Sequence, residues 1–329
     1  MKKIQLYLIL ILSLSSCVAK IDNLATYKKQ PILTSDLFNV EDLKKNKSSI
    51  VVLEFDNKKN KLANRANLNK TLAVKIEATL LKNKLVILQD RSAFKKLAKE
   101  ISLAELNSTG SYTGPKQVEY AITGDIETAE FFSKYRAAQS VMDASSGTYI
   151  YIPASTKYKA KVSGNIKIYK IPSLEIVTTV PFADTESFSE NGRGSNNSRL
   201  ANNLLRKAAV NSIKKSSHKL QNFFSEKRKA YILEKRNKKK QSIFQISLGK
   251  KSGIRPDQKV AIFSKRKQIN NLTDESYFED ILLGTGVISN VVNNNTAWIF
   301  VKDAEVANKV LLGDYVTVEF KKPLFSYFY

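Results

Sequence analysis

Ser49 to Phe55, "SIVVLEF", is a compact β-branched run suited to a buried strand. After a polar loop from Asp56 to Lys61, Leu68, Leu72, Ile76 and Leu80 recur at every fourth position, which puts one apolar stripe on a helix. "KLVILQD", Lys84 to Asp90, predicts a second buried strand, and Arg91 to Leu103 a second short helix with Ser92 placed to cap its start. "YAITGDIETAEF", Tyr120 to Phe131, predicts a third strand. Strands alternating with helices make a sheet covered by helices. The texture then changes. From Lys157 to Ile171 the chain alternates strictly: Tyr158, Ala160, Val162, Ile166 and Ile168 fall on one face, and Lys157, Lys159, Lys161, Asn165 and Lys167 on the other. That is a long strand with a dry face and a wet, cationic one. Pro172 to Glu175 reads as a turn, Ile176 onward as the returning hairpin strand, and Ser198 to Phe224 as a helix with Leu200, Leu204, Ala208 and Leu220 near one stripe. From Gln241 onward, short strands between Gly, Asn and Asp turns predict a small β-barrel, with Trp298 filling its core. The fold class is therefore α/β (α+β): a helix-covered mixed sheet followed by a small all-β barrel.

The pattern divides the chain into residues 1–16, a targeting segment; 17–48, a polar tether without sustained periodicity; 49–225, the α/β domain; 226–240, a basic linker or helix tail; and 241–322, the barrel. Residues 226–240 carry eight Lys or Arg against two Glu. The first of these spans begins with Lys2 and Lys3, continues through an apolar stretch from Ile4 to Leu14, and ends in the small residues Ser15 and Ser16 before Cys17. This is the layout of a secretory signal peptide, and the stretch is short of the roughly 20 residues that span a bilayer. Cys17 is the only cysteine, so a disulfide or thiolate-metal framework is excluded. "Leu14-Ser15-Ser16-Cys17" resembles a bacterial lipobox, in which the cysteine sulfur takes a diacylglycerol and becomes the mature N-terminus. Each buried methylene contributes about 0.8 kcal/mol, and one acyl chain holds only marginally, so several chains make a stable anchor. Val18, where an Asp often signals inner-membrane retention in such lipoproteins, points to the periplasmic face of the outer membrane.

The formal charge of +24 favours anionic partners. It comes from 44 Lys and only 10 Arg spread along the chain, whereas phosphate and base recognition favours the Arg fork, and an exported chain is away from nucleic acid. The expectation is solvated surface and no nucleic-acid partner. Catalysis finds little support. His218 is the only histidine, expected on an exposed helix flank, and no Ser-His-Asp or Cys-His pairing can be assembled. Asp90, Asp125 and Glu127 read as strand-end caps. Gly284 to Gly286 and Gly192 to Gly194 lack the spacing of a phosphate cradle, so no cofactor or metal is expected.

The order "VVLEF", helix, "LVILQDRSAFKKLAKE", "YAITGDI" and a long strand ending "IKIYKIPSLEIV" resembles the CsgG-like family of curli-export lipoproteins over roughly residues 49–225. The resemblance implies an outer-membrane lipoprotein that forms homo-oligomers and acts on exported or envelope proteins. It works either as an export-channel component for extracellular fibre subunits or as a non-channel periplasmic scaffold or activator, as in flagellar-assembly and penicillin-binding-protein-activator lipoproteins. Curli exporters donate two β-hairpins per subunit to a shared barrel. The segments here are 131–155, where Lys134 and Arg136 share a face with Phe132, and 177–198, where Asp184 and Glu186 share a face with Phe182 and Phe188. Each is either a membrane hairpin or a periplasmic loop, and charge on the lipid face costs about 2–4 kcal/mol at the midplane. "LGKKSGIRPDQKVAIF" resembles the C-terminal SH3-like domain of FlgT-type flagellar assembly proteins, with Asp257-Gln258 in place of the usual Gly-Asp.

Cys17→Ser is expected to leave either a soluble protein or an unprocessed precursor, in both cases without the lipid. Intact-mass measurement and fractionation check this.

Overall fold

The computed structural model describes residues 20–35, 47–57, 60–107, 111–112, 114, 118–194 and 197–322. Two units divide the chain: residues 47–224 with the C-terminal residues from Lys321, and residues 225–320 with the N-terminal segment. In chain order the elements are β1 (Lys28–Gln30), β2 (Ser48–Val52), α1 (Lys61–Arg65), α2 (Leu68–Lys82), β3 (Val86–Leu88), α3 (Lys95–Asn107), β4 (Tyr120–Arg136), β5 (Gln139–Met142), β6 (Tyr149–Ile152), β7 (Ser155–Lys170), β8 (Glu175–Asn191) and α4 (Ser198–Glu226). They continue with β9 (Ala230–Lys238), β10 (Gln241–Ile246), β11 (Lys259–Ile269), β12 (Ser276–Val292), β13 (Ala297–Val301), α5 (Ala304–Lys309) and β14 (Tyr315–Val318).

The first unit is a mixed sheet in the order β3-β2-β4-β7-β8. β2 runs parallel to β3 and β4, while β4, β7 and β8 are antiparallel. Val51, Leu53, Ala121, Tyr169 and Ile171 bury one face with Phe94, Leu97 and Ile101 of the α3 region. By strand alternation Ile50, Val52, Ile122, Ile166 and Ile168 face the other way. They are fully buried, as are Leu68, Leu72, Ile76 and Leu80 of α2. Asn60 caps α1 by accepting from the Ala63 N–H at 3.0 Å. The expected cap at Ser92 belongs instead to Asp90, whose carboxylate accepts from both the N–H and the hydroxyl of Ser92 and opens a 3₁₀ turn ahead of α3. A carboxylate two residues earlier accepts from both donors at once. The dry face read for β7 matches its burial, and its wet face does so over Lys157 to Lys161, while Asn165 and Lys167 farther along that face are half-buried. Tyr158, Ala160, Val162, Ile166 and Ile168 are buried, while Lys157, Lys159 and Lys161 are exposed.

The second unit is a closed antiparallel barrel. Its strands run β9-β10-β13-β12-β11-β14, and β14 returns to pair β9 through Tyr315↔Tyr231 and Val316↔Ala230. Phe244, Ile246, Val260, Ile262, Ile288, Ile299 and Val316 fill the interior. Residues 226–240, expected as linker or helix tail, supply the barrel's first strand, because Tyr231 and Ile232 bury their side chains despite the surrounding lysines. Trp298 is buried, but not in the barrel interior. Its neighbours Ala297 and Ile299 point inward, so Trp298 points outward, into a cluster with Ile243, Ile21 and Tyr27.

That cluster changes the account of the N-terminal segment. Residues 20–35, part of the expected tether, lie along the barrel. β1 pairs with β9 through Lys28↔Asn237 to Gln30↔Lys235, and Thr34 bridges Leu312. The Ile21 N–H donates to Asn290 Oδ1 at 2.7 Å, and the Tyr27 hydroxyl donates to Gln241 at 2.9 Å. Because Trp298 is the only tryptophan, its fluorescence reports this unit alone. Tyr27→Ala is expected to destabilise the barrel unit by about 3 kcal/mol, the usual loss for a buried aromatic. Denaturant titration followed by that fluorescence measures it.

Candidate functional site

The residues expected to carry chemistry through lipidation, Leu14, Ser15, Ser16 and Cys17, lie outside the described residues. Two places in the first unit carry functional geometry.

The first is a cleft at the carboxyl ends of the parallel strands, where open α/β sheets commonly place ligands. Beyond β2 the chain follows β4: the Leu53 N–H donates to Ile122 O, Asp56 N–H to Gly124 O, and Ile126 N–H to Asp56 O. Glycine is required where this path meets β7. A Cβ on Gly124 would lie 1.9 Å from Asn165 O, and one on Gly164 would lie 2.1 Å from Asp125 O. The cleft measures about 650 Å³ and is bounded by Phe55, Asn69, Ala98 and Thr123. On its wall Lys167 stands between two carboxylates, 2.8 Å from Glu105 Oε1 and 3.4 Å from Asp125 Oδ1, and the Tyr169 hydroxyl also donates to Glu105. Burial opposes ionisation of Glu105, yet the bonds from Lys167 and Tyr169 outweigh it and hold the carboxyl below its ordinary value. Burial opposes the charge on Lys167 too, and Glu105 with Asp125 more than offsets that and raises it. Burial and the Glu105 bond raise Tyr169. These bonds from Lys167 and Tyr169 to Glu105 fasten the end of α3 to β7.

The second place is the far end of β4 and β7. They pair from Tyr120↔Lys170 out to Arg136↔Ser155. Beyond them β5 and β6 form a separate two-stranded ribbon. Val141, Met142, Tyr149, Ile150 and Tyr151 are exposed there, Tyr149 at 73% and Tyr151 at 68%. Lower on the arm one face is closed: Tyr158 is buried between Phe131 and Phe188 at ring distances of 5.9 and 6.3 Å, and its hydroxyl donates to Glu190 at 2.6 Å. The opposite face carries Phe132, Lys134, Lys157 and Lys159 to water.

The segment 177–198 is no free hairpin. Through Asn191 it is β8, an edge strand paired with β7, whose Val180 and Phe182 are buried. Asp184 and Glu186 face α4, where Lys215 sits 2.6 Å from Asp184 and Lys207 3.0 Å from Glu186. Of the other carboxylates, Asp90 caps the turn before α3, Asp125 joins the cleft, and Glu127 accepts from Asn165. His218 is half-buried rather than exposed: its ring lies 3.1 Å from the Lys215 carbonyl, and burial lowers its pKa. Sequence reasoning passed over Glu105, Lys167 and Tyr169 as a group. Alternation puts Lys167 on the wet face of β7, but nothing in the chain announces that the end of α3 comes to it.

No family model matches the chain, and no curated protein matches it. Among solved structures it is similar to a PelC dodecamer from Paraburkholderia phytofirmans at 10% identity and a TM-score of 0.20, covering 56% of this chain and 97% of that one. It is also similar to a minor lipoprotein from Acinetobacter baumannii at 10% identity and a TM-score of 0.24, covering 54% and 92%. Among the described residues no helix is long and apolar enough to cross a membrane, and no group of three or more His, Cys, Asp or Glu is placed to hold a metal.

The Glu105 cluster has a pH signature. Its contribution is present above the ordinary carboxylate value of about 4.3 and is lost as pH falls through the depressed folded value. Glu105→Gln is expected to flatten this acid limb in the far-UV circular dichroism transition.

Proposed function

We propose that this protein is an outer-membrane lipoprotein of CsgG-like type, held at the periplasmic face by acyl chains on Cys17. In this reading it works without catalysis, as a homo-oligomer, in assembling envelope or exported proteins. The observation that carries the reading is the β4–β7 arm, which continues to Arg136↔Ser155 and presents exposed Tyr149, Ile150, Tyr151, Val141 and Met142 beyond it. An apolar, aromatic ribbon of this kind is a contact surface. The strand and helix order behind it supports the family resemblance. In the second unit, Asp257 supports the resemblance to the SH3-like domain of FlgT-type proteins. It takes φ 65°, the left-handed conformation that the usual glycine would adopt and that Asp tolerates.

The export-channel form and the scaffold form of this reading differ in what the arm meets. A channel subunit of the curli type gives two hairpins to lipid, and β8 favours the scaffold form because its carboxylates are committed to α4. In the scaffold form the arm meets a protein partner in the periplasm.

Replacing residues 137–154 with a short Gly-Ser turn joins Arg136 to Ser155, which already face each other. The shortened protein is expected to keep its fold by circular dichroism and its place in the membrane fraction through Cys17, and to lose envelope-assembly activity. Loss of a detergent belt around a ring of subunits, in electron micrographs of the wild type against this variant, would instead identify the channel form. Unchanged activity would overturn the role of the arm.

A further inference from the structure

The hairpin joining β11 to β12 leaves the barrel. β11 pairs β14 only through Val260 to Phe263, and β12 pairs β13 only from Val287 onward. Between these points six cross-strand pairs, Ser264↔Ile281 to Ile269↔Ser276, form a two-stranded ribbon whose outer edges meet no further strand among the described residues. A two-stranded ribbon by itself is marginally stable in water and gains from a third strand. Every residue from Ile269 to Asp280 is exposed, including Tyr277, Phe278 and, at 95%, Leu272.

The ribbon's charges are sorted by strand. β11 carries Lys265, Arg266 and Lys267, and the β12 side carries Glu275, Glu279 and Asp280. Asp280 is engaged by Lys229 at 3.2 Å, and Lys265 lies over the Phe278 ring at 5.0 Å. Arg266 and Glu279 stand opposite each other in the pairing. A free strand edge is a row of backbone donors and acceptors, open to another strand. Charge decides which strand fits. A β11 edge against a second β11 edge sets lysines and arginine on their like, two β12 edges set carboxylates together, and like charges facing across strands are destabilising. A β11 edge against a β12 edge sets opposite charges together.

We propose that copies of this chain join through this ribbon, the β11 edge of one against the β12 edge of the next. Such a contact is heterologous, so each copy uses both edges and the product is a ring or an open filament rather than a two-fold dimer. This deepens the homo-oligomer reading above by naming its surface, and depends on neither the β4–β7 arm nor Cys17.

The test uses full-length protein purified in detergent and analytical ultracentrifugation. Wild type is expected to form species larger than dimers. R266E/K267E, with two acidic edges, and E275K/E279K, with two basic edges, are each expected to associate at least about a hundredfold more weakly, as like charges brought together in an interface cost several kcal/mol. Mixing the two variants should restore assembly. The quadruple variant keeps the complementarity between its own two edges and should self-associate. Far-UV circular dichroism and Trp298 fluorescence confirm that each variant is folded. A monomeric wild type, undiminished assembly of either double variant, or failure of both the mixture and the quadruple variant to associate would overturn the proposal. The 137–154 replacement leaves this association intact, so failure here is distinguishable from failure of the arm reading.

Discussion

β7 holds the first unit to one arrangement. It is paired on both edges over almost its whole length, and side chains alternate at every residue, so a slip by one position would turn Lys157, Lys159 and Lys161 inward and Tyr158, Ala160 and Val162 to water. The register is fixed where backbones come closest. Only a hydrogen in place of a side chain fits at Gly124 against Asn165 O and at Gly164 against Asp125 O. Both functional features follow from that register. At one end it brings Lys167 and Tyr169 to Glu105, and at the other it carries β4 and β7 out to the exposed aromatics of β5 and β6.

Charge is handled differently at the two ends. The cleft neutralises Lys167 within the unit. Along β8, Asp184 and Glu186 lie on the side that carries Val180 and Phe182, a position that would be costly if the strand faced lipid and is satisfied by Lys215 and Lys207 of α4. On the wet side of β7, Lys157, Lys159 and Lys161 stay in water, as the alternation indicates.

Much of this architecture was legible because hydrophobic period maps directly onto burial. The i+4 leucines of α2 and the alternation of β7 gave their elements and their faces. What was not legible depended on contacts distant in sequence. The tether reading of residues 17–48 missed that Ile21 and Tyr27 roof Trp298, because two apolar residues six apart make no periodic signal. The lysine count of residues 226–240 hid a strand, since a barrel strand needs only alternate positions to be dry, and Lys235 can bury its stem while its ammonium donates to Ala307 O. The cluster of Glu105, Lys167 and Tyr169 spans 64 residues and forms only once α3 lies across the sheet.

The clasp of the N-terminal segment on the barrel also sets a distance. Ile21 is fixed by Asn290 from both its N–H and its carbonyl, and only four peptide units separate it from Cys17. A fully extended chain covers at most about 3.6 Å per residue, so that stretch can reach no further than about 14 Å. In the proposed lipoprotein reading, acyl chains on Cys17 would hold this face of the barrel against the headgroups, with the barrel as a foot resting on the bilayer rather than a domain swinging on a leash.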